Sequence, residues 1–109
     1  MIEKTVLDYL NNKKWKAYAE KPDVPPKEYA LVAKVNGSQT HFLRRAVVDI
    51  QVYSDSTYNA SLLNEAMITD MSDFDDASVS ECNLIGEMIY NDLSHGVYSY
   101  QTSWEIYYY

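Results

Sequence analysis

The sequence predicts an α+β fold: a mostly antiparallel sheet of about five strands, two helices packed on one face, and the order α-β-β-β-α-β-β. Three observations carry this. Ala46–Tyr53 (AVVDIQVY) alternates strictly between two faces, the signature of a strand with one wet side. Thr57–Met71 follows a capping sequence and repeats apolar residues at helical spacing. The last third is rich in tyrosine and β-branched residues, which suit a pleated, half-buried surface. A chain of 109 residues holds one hydrophobic core, so residues 1–109 form a single domain.

Each element follows in order. Ile2, Val6, Tyr9 and Leu10 recur at the spacing of a helix face, and Asn11-Asn12 ends that helix because Asn tolerates a left-handed cap. A short strand is expected over Trp15–Ala19. Lys21–Pro26 is then a stiff connector, since proline lacks an amide donor and biases its predecessor away from helix. Tyr29–Val35 reads as a strand, Asn36-Gly37-Ser38 as a hairpin turn, and Phe42–Tyr53 as the returning strand. On the latter, Ala46, Val48, Ile50 and Val52 point one way, and Val47, Asp49, Gln51 and Tyr53 the other.

Ser54-Asp55-Ser56 supplies a helix N-cap. The expected buried stripe is Ala60, Leu63, Met67 and Met71, with Phe74 beyond, and Asp73, Asp75 and Asp76 mark the exit. Ser78–Asn91 is a strand with Gly86 as a bulge, Ser94-His95-Gly96 turns the chain, and Val97 to the end is the last strand. Tyr98, Tyr100, Thr102, Trp104, Ile106 and Tyr108 share one of its faces.

Composition narrows the function. Nine basic residues against sixteen acidic ones leave a net charge of −7, and no Lys or Arg follows Arg45. Sequence-specific nucleic-acid binding needs a basic face that displaces counterions, and an anionic membrane needs the same, so neither partner is expected. No segment is apolar enough to span a bilayer and none reads as a secretory signal. One cysteine, Cys82, fits a reducing compartment.

Catalytic and metal chemistry find no convergent set. His41, His95 and Cys82 lie on different elements, whereas a metal site needs three or four converging ligands. Asp70–Asp76 resembles a cation loop only superficially: Phe74 and Asp75 occupy positions where an EF-hand needs a ligand and a glycine. Gly37, Gly86 and Gly96 are isolated, so no phosphate loop exists. No enzyme activity and no cofactor are expected. Surfaces remain. Arg44-Arg45 is either a solvated pair or half of an intersubunit ion pair with the acidic second half. Tyr107–Tyr109 is either strand filler or an edge that pairs with a neighbour.

The whole chain resembles a known family. The phrases are the opening MIEKTVLDYL, then Ala17–Pro22 (AYAEKP) with Pro25–Tyr29 (PPKEY), the strand Ile50–Ser54 (IQVYS) running straight into a helix, and Tyr98–Thr102 (YSYQT). In layout this is similar to the small tail-terminator and head–tail joining proteins of long-tailed bacteriophages, the lambda-type minor tail proteins, especially those of phages and prophages of Gram-positive hosts. The resemblance implies a structural virion protein, made in the host cytoplasm and carried at the head–tail interface. Its partners would be itself, in a ring commonly of six, the major tail tube protein and the head connector. It implies no catalytic residue. A head-completion or connector protein of the same assembly and a small host adaptor domain are the alternatives.

A head-to-tail ring needs two different, complementary patches per subunit. The sequence offers the hairpin residues Phe42, Arg44 and Arg45 as one, and Asp73, Asp75 and Asp76 as the other, with Tyr107 and Tyr109 as aromatic contacts.

Overall fold

The computed structural model describes residues 2–40 and 43–109. The elements are α1 (Ile2–Asn12), β1 (Ala17–Tyr18), β2 (Tyr29–Thr40), β3 (Leu43–Ser54), α2 (Thr57–Ser72), β4 (Val79–Asp92), a short 3-10 turn (Leu93–His95) and β5 (Val97–Tyr108). They form one five-stranded sheet in the order β1-β2-β3-β5-β4. Only β1–β2 is parallel; every other neighbour pair is antiparallel. The expected α+β class and element order both hold.

The core lies between one face of this sheet and the two helices. Ala46, Val48, Ile50 and Val52 on β3 are fully buried, as their alternation requires. They stand across from Ile106, Trp104, Thr102 and Tyr100 on β5. Trp104 is the largest buried side chain, and its indole N–H donates to Thr102 Oγ1 at 2.8 Å, so its one polar atom is paired. Ile2, Val6 and Leu10 of α1 and Met67 and Met71 of α2 close the core from the other side. Each such side chain contributes about 1.5–3 kcal/mol relative to exposure.

Helix α2 is capped as expected: the Ser56 hydroxyl accepts from the Asn59 N–H at 3.1 Å. Its buried stripe differs in one position. Ala60, Asn64, Met67 and Met71 face the sheet, while Leu63 sits half-buried on the flank. At 100° per residue, 60, 64, 67 and 71 make the tighter row, and hydrophobicity alone points to Leu63 over Asn64. Asn64 Nδ2 donates to Glu87 Oε1 of β4 at 3.0 Å, while its buried Oδ1 has no partner among the described residues, so only half of the amide is compensated.

Other local expectations are corrected. The first strand spans two residues rather than five, and the left-handed residue after α1 is Lys14 (φ 72°), not an asparagine. The Asn11 amide instead bonds the Ala17 backbone twice, accepting its N–H at 3.1 Å and donating to its carbonyl at 3.2 Å. Asn36-Gly37-Ser38 is no turn. Strand β2 continues through it to Thr40, which pairs with Leu43 of β3. Asn36 and Gly37 pair with Val47 and Ala46, the register shift leaves Val35 out of the ladder, and a Cβ on Gly37 would meet Lys34 Cε at 2.8 Å.

The largest difference concerns the terminal strand. β5 lies inside the sheet, paired with β3 on one side and β4 on the other. Tyr107 pairs with both Arg45 and Glu81, so it cannot offer an edge to a neighbour. The margin of the sheet is β4.

Candidate functional site

Of the residues expected at a subunit interface, Phe42 lies outside the described residues. Arg44 is exposed at the end of β3, level with Tyr108 and Val79. Arg45 is engaged within its own chain: Nε and Nη2 both lie 2.7 Å from Glu105 Oε2. The expected pairing with the acidic second half therefore exists, but it is intramolecular. The hydrogen bond it donates to the Glu105 carboxylate raises the Arg45 pKa further, so the guanidinium keeps its charge.

Asp73 caps the C-terminus of α2, its N–H bonded to the carbonyls of Asp70 and Met71. Asp76 accepts from the Ser78 N–H at 2.9 Å and from the Ser78 hydroxyl, which hold its carboxyl below the usual range. Asp75 is exposed. Asp70, at the head of this acidic run, is an anchor: Trp15 Nε1 donates to Oδ2 at 2.7 Å and the Tyr9 hydroxyl donates to its carbonyl. Tyr109 is largely exposed, with its N–H on the Ser78 carbonyl at 3.0 Å.

Cys82 is half-buried against the core, and burial pushes its thiol up to about 12. At neutral pH it is a thiol, a poor nucleophile and a poor ligand. His95 sits in the β4–β5 turn with Nδ1 2.7 Å from Asp92 Oδ2. Among the described residues no three His, Cys, Asp or Glu side chains converge as metal ligands, and no helix is long and apolar enough to cross a membrane. Two hollows are basic. One of about 480 Å³ is lined by Lys13, Lys14, Lys16 and Lys27 around Trp15 and Leu63. The other, of about 360 Å³, lies on the far part of the β2–β3 hairpin between Lys34, Arg44 and Tyr108.

The feature that sequence reasoning missed is β4 itself. It is fourteen residues long, more than twice an ordinary strand of about 5–6 residues, and among the described residues no strand pairs with its outer side. Leu84, Ile85, Met88, Ile89 and Tyr90 are each between 38% and 52% exposed. The register puts Leu84 and Ile89 on the helix-side face and Met88 and Tyr90 on the opposite one, with Ile85 in the bulge. A strand that is apolar on both faces has the composition of one covered on both faces. The available signal was the run Leu84-Ile85-Gly86-Glu87-Met88-Ile89-Tyr90, which breaks the alternation seen in β3.

The opposite margin is also open. β1 pairs with β2 only at Ala30 and Leu31, so among the described residues no strand covers β2 from Val32 to Thr40. No model of a known protein family matches the chain, and no curated protein aligns with it significantly.

Proposed function

We propose that this protein is a structural virion component that caps the phage tail tube as a ring, stops tube polymerisation and presents the surface to which the head is joined. The exposed, two-sided apolar strand β4 is the observation that carries this reading. Long, exposed apolar edges are aggregation hazards that proteins blunt unless a partner covers them. A chain that keeps one works through contact, and its whole-length likeness to small tail-terminator proteins supplies the context. On this reading the protein performs no catalysis. Its subunits recognise one another and the end of the tube. At −7 per copy, a ring of such chains repels the DNA that passes through it rather than holding it.

Deleting the coding sequence from the phage or prophage that carries it tests the reading. Electron microscopy of the lysate should show tails of uncontrolled length, or tails without heads, and complementation with the intact gene should restore infectious particles. Tails of normal length beside DNA-leaking heads would move the protein to the head-completion side of the joint. Unchanged particles and titre would remove it from the virion altogether.

A further inference from the structure

We infer that β4 is covered by the free edge of β2 from a second copy of this chain, joined head to tail and antiparallel, so that the sheet runs on from one subunit into the next. The inference rests on the ring reading and specifies its subunit contact.

Strand direction permits the joint. β2, β3, β5 and β4 alternate in direction across the sheet, so β4 runs opposite to β2. If a second copy is set beside the first with its helices on the same side, its β2 arrives antiparallel to the first copy's β4. The pairing is then of the kind that already joins β2 to β3, and each face continues into its counterpart. Both edges are long enough. β2 is open from Val32 to Thr40, and β4 runs without a bulge from Gly86 to Asp92.

Charge selects this joint over its symmetric rivals. Residues 29–48, which hold β2 and the start of β3, contain Lys34, Arg44 and Arg45 and no acidic residue. Residues 73–92, which lead into β4 and form it, contain six carboxylates and no Lys or Arg. A twofold β4–β4 contact sets acid against acid, and a β2–β2 contact sets base against base; like charges facing across strands are destabilising. Only the heterologous pairing brings opposite charges together. It also leaves a free β4 at one end and a free β2 at the other, the condition for closing a ring. The exposed apolar side chains of β4 supply the buried area, and the charges set register and direction.

The test uses two charge-reversed forms of the full chain. Lys34→Glu with Arg44→Glu makes both edges acidic; Asp73→Lys, Asp75→Lys, Glu81→Lys and Asp92→Lys together leave four lysines against two carboxylates along β4 and its approach and make both basic. All six side chains are exposed. Circular dichroism first establishes that each form melts like the wild type. Sedimentation velocity at low ionic strength, up to millimolar protein, should then show the wild type associating with concentration and dissociating with salt. Each variant alone should stay monomeric, and an equimolar mixture should associate again, because every junction in an alternating array is complementary.

A wild type that is monomeric throughout overturns the inference. So does an acidic-edge variant that associates as well as the wild type, which would mean a twofold β4 contact, or a mixture that stays monomeric. Copies that join in this way but leave tails unaltered when the gene is deleted would keep the joint and remove the tail-terminator reading.

Discussion

Arg45 and Glu105 meet diagonally across neighbouring strands on the side of the sheet that the helices leave uncovered, their side chains joined by two contacts of 2.7 Å to one carboxylate oxygen. Arg44, one residue earlier, points to the other face, and among the described residues no carboxylate pairs with it. Two adjacent arginines thus do different work. One ties β3 to β5; the other is available to a neighbour.

Arg45→Glu should therefore lower the melting temperature, because it sets two carboxylates against each other. Arg44→Glu should leave it unchanged. Thermal unfolding of the two single variants checks this, and equal melting temperatures for both would show that the Arg45–Glu105 pair adds no stability. For the same reason Arg44, and not the adjacent pair, is the clean site for disturbing assembly.

Met67 and Leu63 separate the observed helix face from the expected one. Met67 is fully buried and Leu63 half-buried. Met67→Ala should cost about 2–5 kcal/mol through lost transfer energy and a cavity. Leu63→Ala should cost about 1 kcal/mol, since only part of its surface is withdrawn from water. Denaturant midpoints measured at constant slope rank the two; the reverse order would put α2 in a different rotation.

Thr102→Val keeps the shape of the side chain but removes the acceptor for the buried Trp104 N–H. An unpaired buried donor costs about 1–3 kcal/mol. For a domain of this size that lowers the melting temperature by about 4–8 °C per kcal/mol. Trp104→Phe in the same background removes the orphan donor, so the double variant should recover part of the loss beyond additivity in a double-mutant cycle.

Stability should fall at both pH extremes, for opposite reasons. Burial raises the pKa of Tyr9, Tyr29 and Tyr53, and that of Cys82 to about 12. The unfolded chain loses these protons first, so their contribution is complete below about pH 9 and is lost as pH climbs through the folded values. Asp55 behaves in reverse. The Asn59 amide and the Lys27 ammonium beside it lower its carboxyl to about 2, so its contribution is present above the ordinary carboxylate range and is lost as pH falls to about 2. Urea midpoints should be flat between about pH 5 and 9 and decline on either side. Lys27→Ala should weaken the acid limb and leave the alkaline one intact.

Local sequence was enough for the elements that report on themselves. Strand β3 alternates because one of its faces is dry, and α2 begins after Ser56 because a hydroxyl there can take an orphan amide. Such signals carried the fold class and the element order. Strand order is not local. Nothing in the composition of Val97–Tyr108 distinguishes a central strand from an edge, because aromatic and β-branched residues suit both. Pairing between distant segments put β5 between β3 and β4, moved the margin of the sheet to β4 and joined Arg45 to Glu105, sixty residues away. The candidate surface was legible in its charges and hidden in its position, because charge is written residue by residue, whereas an edge exists only once every other strand has found its partner.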